Sequence, residues 1–309
     1  MTFRKFFYNG IFLSLFFMGL VAAFNLYLNP YGIFGNMKGR AVTIYNNERT
    51  SKYLLSFNYI PSNFDGVLIG PSVSDNLDTR DLLPYRVYNA SLNGGNIMGL
   101  ARITKNLIQK GKLNFLIICL SPYITKDHKI KTSHMVSEEI LGSLGSLESI
   151  KYYIHRIKVW QGMEPMRWNA YGAYDYYLGE SKIPVKDIRA RILRQYPEDM
   201  KIAPDDLALE ELKNLIQLAR QHNIKIFGYY YPYLYDRYVQ FETDYKEYQK
   251  RINRLFSDGD IIWDFNTETY RDFRSDYSNY GDHTHLSDKG AGFILAEIKK
   301  KLDAHLHGG

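Results

Sequence analysis

Three short polar segments, far apart in the chain, together contain the side chains that nucleophilic acyl transfer requires. The first ends at Ser72, the second has the sequence Asn-Ala-Ser-Leu-Asn-Gly and ends at Gly94, and the third, Asp-His-Thr-His, runs from Asp282 to His285. Acyl transfer needs a nucleophile, a base that takes its proton and an acid that orients the base. Ser72, His285 and Asp282 are therefore the candidate catalytic residues.

The serine follows Gly70 and Pro71, directly after an apolar run that ends at Ile69. A glycine allows a tight turn after a strand, which places the serine side chain at the end of the sheet. The segment is not a nucleophile elbow of the α/β-hydrolase type, because that motif has a glycine where this chain has Ser74. Ser74 is a rival nucleophile, but it lies two residues further from the strand end. On its own, a serine after a glycine is usually an ordinary turn residue.

The turn at Asn93 and Gly94 follows a second apolar run and precedes a predicted helix at Ile97. Backbone amides in such a turn can point at an anion. We therefore expect an oxyanion hole formed by the Gly94 amide and the amide near Ser72. Without the other segments, the simpler interpretation of this turn is a flexible connection between a strand and a helix.

Asp282 and His285 are spaced so that the carboxylate can reach Nδ1 of the histidine, which leaves Nε2 as the base. His283 forms a His-x-His pair, so a metal site with Asp282 is an alternative. No further ligand cluster is evident in the sequence, and we expect neither a metal nor another cofactor. The remaining alternative is a solvated polar loop before a helix that Ser287 caps.

The composition narrows the class of protein. The chain has 309 residues, enough for one large domain or two small ones, and its apolar content of 45% is sufficient for a core. The net charge of +6 is spread out, and zinc-finger spacing and RNA-binding aromatic motifs are absent, so we expect no nucleic-acid partner. The single cysteine, Cys119, lies in an apolar run and is predicted to be a buried structural thiol. The 27 tyrosines suit sugar surfaces and membrane interfaces as well as a core.

The N-terminal region is a predicted membrane anchor. No charged residue lies between Lys5 and Lys38, and Ile11–Leu28 is an apolar run of 18 residues, close to the roughly 20 that span a bilayer. Arg4 and Lys5 precede the run, which favours a cytoplasmic N-terminus. A signal peptide cleaved near residues 21–23 and a buried core helix are the alternatives. We favour the anchor because the run continues past that cleavage site and has no polar face.

Beyond a juxtamembrane segment, short apolar runs alternate with stretches of helical periodicity. This alternation predicts a parallel sheet covered by helices on both faces, with ligands bound beyond the carboxyl ends of the strands. Residues 121 to about 205 do not fit the alternation. We interpret them as an insertion, with a helical stretch at Val136–Trp160, that caps the site, contacts a partner or has no special role. Residues 1–36 are assigned to the anchor and juxtamembrane segment, and residues 37–309 to the catalytic domain. The predicted elements are strands at Gly66–Ile69, Arg86–Asn89, Phe115–Leu120, Ile224–Tyr229 and Ile261–Phe265, and helices at Ile97–Gln109, Leu207–His222, Tyr245–Phe256 and Ser287–Leu306.

In combination, the three segments resemble the sequence blocks of the SGNH (GDSL-like) hydrolase superfamily. In that superfamily a Gly-Asp-Ser block follows the first strand, an Asn-rich block with glycine follows the second, a Gly-x-Asn-Asp block follows the third, and Asp-x-x-His precedes the last helix. Pro71 replaces the usual aspartate of the first block, whereas residues 89–94 and the pair Asp282 and His285 match closely. The resemblance covers roughly residues 64 to 305 apart from the insertion. It implies a three-layer α/β/α, flavodoxin-like domain.

The third block departs from the superfamily pattern. This chain has Leu-Ser-Pro-Tyr from Leu120 to Tyr123, so the asparagine that donates a hydrogen bond to the oxyanion is missing. Asn93 or Ser121 are the candidate substitutes. The departure, the anchor and the Pro-Tyr pair after it are similar to membrane-anchored SGNH-like proteins that acylate extracytoplasmic polymers. Examples are the alginate O-acetyltransferases and the D-alanyl-transfer protein of the teichoic acid pathway, which work beside a polytopic membrane-bound O-acyltransferase.

The resemblance implies an O-acyltransferase or esterase that transfers an acetyl or other acyl group to or from a cell-envelope polysaccharide. The expected location is the cell membrane, with a single span and an extracytoplasmic catalytic domain. The expected partners are the glycan, the membrane and a polytopic acyltransferase. The alternatives are a vestigial scaffold or binding protein of the same envelope system, which Pro71 and the missing asparagine favour, and a lipid or aryl esterase. The intact Asp-x-x-His segment favours an enzyme.

Overall fold

A parallel β-sheet with helices on both faces forms the centre of the protein. The structure is a computed structural model that describes residues 3–110, 113–126, 135–176, 184–194 and 202–306. The strands of the described residues are β1 (Gly66–Ile69), β2 (Val87–Asn89), β3 (Phe115–Cys119), β4 (Lys225–Tyr230) and β5 (Ile261–Asp264). Their order in the sheet is β2-β1-β3-β4-β5, and every neighbouring pair is parallel. The predicted α/β fold class is confirmed.

Each predicted strand is present, and its observed bounds differ from the prediction by no more than one residue at either end. The strands were predictable because both of their faces are covered. Such strands consist of nearly continuous apolar runs instead of alternating apolar and polar residues. In β1, β2 and β3 every residue is buried.

The helices of the central domain also agree with the prediction in most places. The predicted helix Ile97–Gln109 has these same bounds in the structure. The helix predicted from Leu207 is displaced by one residue, and the one predicted from Ser287 begins one residue later and ends where predicted. The helices of the described residues are α1 (Phe3–Leu28), α2 (Glu48–Leu55), α3 (Tyr59–Asn63), α4 (Ser72–Asp75), α5 (Ile97–Gln109), α6 (Glu138–Gly142), α7 (Leu147–Trp160), α8 (Val185–Arg194), α9 (Asp206–Gln221), α10 (Tyr235–Asn253), α11 (Arg271–Ser275) and α12 (Asp288–Leu306).

Two helical predictions were wrong in their extent. Helix α10 begins at Tyr235 instead of Tyr245, and it is kinked at Phe241, whose backbone has φ −130° and ψ 19°. The stretch predicted as helical from residue 136 to residue 160 consists of two helices, α6 and α7. The second of these has its own start signal, because the Ser146 side chain accepts a hydrogen bond from the Ser149 amide.

Side chains of β4 show which helix covers which face of the sheet. The ring of Phe227 lies 6.5 Å from the ring of His305 in α12. The ring of Tyr230, three residues further along the strand, lies 6.1 Å from that of Tyr245 in α10. Residues an odd number of positions apart in a strand point to opposite faces. Helices α12 and α10 therefore cover opposite faces of the sheet.

The strand order directs attention to the end of β1. The chain leaves β1 toward β2 on one side of the sheet, and it builds β3, β4 and β5 on the other side. In open parallel sheets this reversal of order opens a crevice at the carboxyl ends of the two central strands. Ser72 follows β1 and Ser121 follows β3, so both residues come shortly after the strands that border this crevice.

Helix α1 is long and apolar enough to cross a membrane. It has 26 residues, and only 6% of its most apolar stretch of 18 residues is buried within the protein. Among the described residues it is the one helix with these properties. This helix coincides with the apolar run from which the anchor was predicted.

Gly70 offers a test of how tightly the start of the site is packed. A Cβ at this position would lie 2.2 Å from Ser74 Oγ and 2.6 Å from Cys119 Cβ. We expect Gly70→Ala to lower the free energy of unfolding by about 1–3 kcal/mol, because the segment after β1 would have to move away from β3. Urea denaturation of the full-length chain in detergent, followed by circular dichroism, measures this.

Gly259→Ala is the matched control, because a Cβ there would meet nothing within 4 Å. Its free energy of unfolding should stay within about 0.5 kcal/mol of the wild type. Equal stabilities for the two variants would contradict the packing described here.

Candidate active site

Ser72 is the first residue of α4 and is partly accessible, whereas Ser74 is fully buried. The Ser74 hydroxyl donates to the Pro71 carbonyl over 3.0 Å and shares a 2.8 Å hydrogen bond with the Ser91 hydroxyl. Because its hydroxyl is held in the core, Ser74 is poorly placed to be a nucleophile. Of the two serines considered from the sequence, Ser72 is the one that reaches the accessible site.

The structure brings Ser72, His285 and Asp282 together in one chain of hydrogen bonds. Nε2 of His285 lies 3.1 Å from Ser72 Oγ, and Nδ1 of the same ring lies 2.8 Å from Asp282 Oδ2. If Nδ1 donates to the carboxylate, the lone pair of Nε2 faces the serine hydroxyl. The side chains of His285 and Asp282 are 18% and 22% exposed, so the site is open to a substrate but largely desolvated.

Asp282 is held as a carboxylate by its own loop. Its Oδ1 accepts hydrogen bonds from the amides of Thr284, at 2.6 Å, and His285, at 2.7 Å. Burial alone would raise the pKa of Asp282, but the hydrogen bond and charge of His285 and the two amides outweigh it and lower the pKa to about 2. The aspartate is therefore ionised whenever the histidine needs orienting or its positive charge needs stabilising.

The loop that carries the acid and the base is fixed by α10 and by the segment after β4. Arg237 donates from Nη1 to the His283 carbonyl over 2.6 Å and to the Thr284 hydroxyl over 2.9 Å. The Tyr231 hydroxyl donates to the Thr284 carbonyl over 2.7 Å. Burial lowers the pKa of Arg237 to about 10, so its guanidinium remains charged at neutral pH. These contacts position the loop without touching the serine.

The arrangement does not favour the alternative of a metal site at Asp282 and His283. Both carboxylate oxygens of Asp282 already accept hydrogen bonds within the loop. In the part of the chain that the structure describes, no group of three or more His, Cys, Asp or Glu side chains is arranged to hold a metal ion.

The turn predicted to contribute to the oxyanion hole is held by α2. The Glu48 carboxylate accepts from the Asn93 amide over 3.0 Å, and Arg49 donates to the carbonyls of Asn93 and Gly94 over 2.8 and 2.9 Å. Gly94 has a positive φ of 57°, which favours glycine at this position. Within the described ranges, its amide donates no backbone hydrogen bond.

Ser121, one of the two candidate side-chain donors, lies in the core instead of the site. It is fully buried, and its hydroxyl shares a 2.9 Å hydrogen bond with the Tyr233 hydroxyl. Its carbonyl accepts from the Tyr248 hydroxyl over 3.1 Å. Asn93, the other candidate, is exposed, and the contacts described for it are those of its backbone. Ser121 is therefore not positioned to replace the missing asparagine, whereas Asn93 stays a prediction.

A buried ionic cluster lies behind the serine. Lys52 of α2 is fully buried and contacts Asp75 at 2.8 Å, Glu48 at 2.9 Å and the Ser91 carbonyl. Burial opposes the charge on Lys52, but Asp75 and Glu48 raise its pKa overall. Burial raises the pKa of Asp75 well above its usual value, whereas the lysine lowers that of Glu48 against the effect of burial. The charges of these three side chains therefore depend on one another.

A row of aromatic rings from the insertion runs up to the histidine. The Tyr176 ring lies 4.7 Å from the His285 ring with a tilt of 30°. Tyr174 follows at 4.6 Å from Tyr176, and Trp168 at 4.8 Å from Tyr174. Beside the row is a cavity of about 260 Å³. The cavity is lined by, among others, Asn76, Arg80, Trp168, Tyr174, Tyr176 and Asp288.

Sequence reasoning missed Tyr176, Arg237 and the helix α2. A signal for α2 was present, since Glu48 and Lys52 are four residues apart, as in a helical ion pair. Tyr176 had no comparable signal, because it lies in the insertion among many other tyrosines. Its position against His285 depends on a contact between segments more than 100 residues apart.

Comparisons with known proteins find likenesses among solved structures. No protein-family model matches it, and no curated protein matches it either. Among solved structures, it is similar to a protein from Streptococcus pneumonia that is provisionally described as a platelet activating factor. The two share 11% identity with a TM-score of 0.44, over 82% of this chain and 91% of that one. It is also similar to a GDSL-like lipase from Bacteroides thetaiotaomicron, with 8% identity and a TM-score of 0.37 over 78% of this chain and 88% of that one. At these scores the likenesses carry no information on activity.

The lowered pKa of Asp282 predicts how stability depends on pH. The carboxylate stabilises the folded state above its unfolded pKa of 3.8, and this contribution is lost as the pH falls towards about 2. We therefore expect the difference in unfolding free energy between the wild type and Asp282→Asn to shrink as the pH falls through this range. Urea denaturation of both full-length chains at several pH values measures this difference.

The exposed Asp258 provides the control substitution. The difference between the wild type and Asp258→Asn should stay flat over the same pH range. A difference for Asp282→Asn that is equally flat would contradict the geometry of the loop.

Proposed function

We propose that this protein is a membrane-anchored, serine-dependent acyltransferase or esterase of the SGNH type. It acts outside the cytoplasm and transfers an acetyl or other acyl group to or from a cell-envelope polysaccharide. The observation that carries the proposal is the hydrogen-bond chain from Ser72 through His285 to Asp282. It contains a nucleophile, a base and an orienting acid in the order in which acyl transfer uses them.

In the first half of the reaction, Ser72 Oγ attacks the carbonyl carbon of the acyl donor while His285 Nε2 takes the hydroxyl proton. The resulting imidazolium is stabilised by the ionised Asp282. When the tetrahedral intermediate collapses, the bond to the leaving oxygen or sulfur breaks, and His285 returns the proton to that atom. The acyl group is then an ester of Ser72.

In the second half, an acceptor hydroxyl enters the site and gives its proton to His285 as its oxygen attacks the acyl-serine. Collapse of this second intermediate releases the acylated acceptor and restores the Ser72 hydroxyl. Water in place of the acceptor would make the reaction a hydrolysis. Transfer therefore requires the acceptor to be bound in position beside the serine, where proximity gives it an advantage over water.

The aromatic row and the adjoining cavity suit an acceptor of this kind. Sugar rings pack their apolar faces on aromatic side chains, and Trp168, Tyr174 and Tyr176 offer three such rings in sequence. The polar side chains that line the cavity offer hydrogen bonds to hydroxyl groups. These features support a glycan as the acceptor, as the resemblance to polymer-acylating SGNH proteins implies.

The apolar helix α1 supports the location and the partner in this proposal. Its exposed apolar surface is suited to a bilayer, and a helix of this length can span one. A retained anchor would keep the catalytic domain at the membrane surface. There a polytopic membrane-bound O-acyltransferase could supply the acyl group, and the growing polysaccharide could receive it.

The Tyr176 hydroxyl supplies the side-chain donor that the third block lacks. It is buried and has no hydrogen-bond partner of good geometry among the described residues, and the Ser72 side chain is close enough to lower its pKa. Burial nevertheless raises that pKa above its ordinary value, so the phenol stays protonated. With the amides of Ser72 and Gly94, it would donate a hydrogen bond to the oxygen that becomes negative.

Reactivity of Ser72 tests the proposed chemistry. A fluorophosphonate probe applied to the full-length chain in detergent should give one adduct, located on Ser72 by mass spectrometry. Ser72→Ala should abolish it. His285→Gln should slow labelling by about 10²–10⁴-fold, because the base no longer takes the hydroxyl proton.

The exposed Ser257 is the control, and Ser257→Ala should be labelled like the wild type. A correctly folded wild-type chain that gains no adduct on Ser72 would refute catalysis and favour the scaffold alternative. Circular dichroism and thermal unfolding of each variant establish that the fold is intact.

Tyr176→Phe tests the side-chain donor, because it removes the hydroxyl and keeps the ring against His285. We expect kcat for an aryl acetate to fall about 10²–10³-fold with little change in KM, since the hydrogen bond forms mainly in the transition state. Tyr270→Phe, which removes a hydroxyl that donates to Glu297 of α12, should leave kcat unchanged. An unchanged kcat in Tyr176→Phe, with Ser72→Ala inactive, would exclude this role for the hydroxyl. If Tyr176→Phe does not fold, a fluorinated tyrosine at the same position changes the acidity of the phenol while keeping its shape.

A further inference from the structure

Helix α7 presents an apolar stripe on the outside of the protein. Its opposite side packs inward through Ser149 and Tyr152, which are buried. The exposed apolar residues recur every three or four positions, so they lie along one side of the helix, and each is between 47% and 83% exposed. Nothing in the described residues covers them. These residues are Leu147, Ile150, Ile154, Ile157 and Trp160.

The stripe lies beside the end of α1. Asn25 is the buried residue of that helix, and its side chain donates to the Leu144 carbonyl over 3.1 Å and accepts from the Tyr153 hydroxyl over 2.7 Å. The ring of Phe24 lies 5.7 Å from the ring of Tyr153. Both α1 residues are within about one helical turn of its end at Leu28. Helix α7 is therefore fixed to the last turn of α1.

The length of α1 sets the depth at which α7 lies. A helix of 26 residues is about 39 Å long, and the hydrocarbon core of a bilayer is about 30 Å thick. If α1 spans the membrane, its last turn lies at the level of the lipid headgroups. Leu28, Ile157 and Trp160 line one crevice with Arg156, so the surface of α1 continues onto α7 at that level.

We propose that α7 is an interfacial helix that inserts its apolar stripe into the outer leaflet of the bilayer beside α1. The inference rests on the proposed membrane anchoring, and it does not depend on the chemistry at Ser72. An amphipathic helix of this kind lies in the plane of the membrane with its apolar side among the upper acyl chains. Trp160, at the end of the stripe, is the residue type enriched at this depth.

Apolar burial, and not charge, is expected to hold the helix in place. The two lysines of α7 are paired with glutamates: Lys151 contacts Glu148 at 2.7 Å, and Lys158 contacts Glu164 at 2.7 Å. Arg156 remains at the crevice, where it can face lipid phosphates. Anionic lipids should therefore strengthen the docking little.

Docking of α7 also sets the orientation of the candidate active site. A single flexible connection after α1 would let the domain turn freely above the membrane, whereas a second contact beside the anchor restricts it. The same insertion that contains α7 carries Tyr176, which contacts His285. The interfacial helix would thus hold the site at a fixed distance from the bilayer.

Quenching of Trp160 fluorescence by brominated phosphatidylcholine tests the inference. The full-length chain is reconstituted in lipid nanodiscs without any partner protein, and emission is compared in brominated and ordinary lipid. We expect brominated lipid to quench the wild type and Trp160→Phe to lose most of that quenching. Trp168→Phe should retain it, because Trp168 lies in the cavity beside the site. Replacing some of the lipid with phosphatidylglycerol should change the result little.

A charged variant provides the second measurement. Ile154→Asp combined with Ile157→Asp should release α7 and reduce quenching while α1 keeps the chain in the discs. Leu207→Asp is the matched control, since Leu207 is an isolated apolar side chain of α9 with 77% exposure.

Two outcomes would overturn the inference. If the chain is in the discs but Trp160→Phe is quenched like the wild type, the stripe does not meet lipid and the inference is overturned in favour of a protein partner. If the chain does not enter the discs, the anchor fails and the inference falls with it. Fluorophosphonate labelling of Ser72 in the same samples reports on the proposed chemistry separately.

Discussion

The hydrogen bond between His285 and Ser72 is the contact on which the candidate site depends, and it joins positions 213 residues apart. The parallel sheet positions Ser72, because it fixes the end of β1, after which Ser72 begins α4. The position of His285 depends on α12, because after β5 the chain must return from the far edge of the sheet to the side of β1 and β2. A 2.7 Å hydrogen bond from Tyr85, just before β2, to Asp303 of α12 shows where the return is secured. The candidate site is therefore assembled from a segment after the first strand and a segment just before the last helix.

Burial of charge behind the serine is the second constraint. Lys52 connects three segments that would otherwise be independent: α2 through Glu48, the end of α4 through Asp75, and the loop after β2 through the Ser91 carbonyl. A buried ion pair adds little net stability when compared with apolar residues, but loss of one partner is costly because the other charge remains buried. The cluster is thus better understood as fixing the position of α4, which begins at Ser72, relative to the loop after β2 than as a source of stability.

The parts of the fold and site that follow local rules were predictable, and those that depend on distant contacts were not. Continuous apolar runs located the strands, and the Asp-x-x-His spacing predicted that Asp282 could reach His285, because both residues lie in one short loop. The placement of Ser121 could not be foreseen, since its hydroxyl bonds to Tyr233 in the distant loop between β4 and α10. Tyr176 could not be foreseen either, because none of its neighbours in the sequence indicates a contact with His285. Hydrophobic patterning records whether a residue is buried, but not which polar group it meets there.

Two ionisable groups on either side of the histidine have their pKa values displaced in opposite directions, and this division gives each a distinct use. The amides and the histidine around Asp282 lower its pKa to about 2, so it remains an anion that orients and stabilises the imidazolium. Burial raises the pKa of Tyr176, so it remains a neutral donor. Such pairs of environments allow one site to hold a negative charge and a proton donor at the same pH. The ring of Tyr176 lies against His285, so it helps to keep water from the candidate site. In the proposed arrangement the insertion has two uses: Tyr176 covers the site at one end, and α7 lies against the membrane at the other.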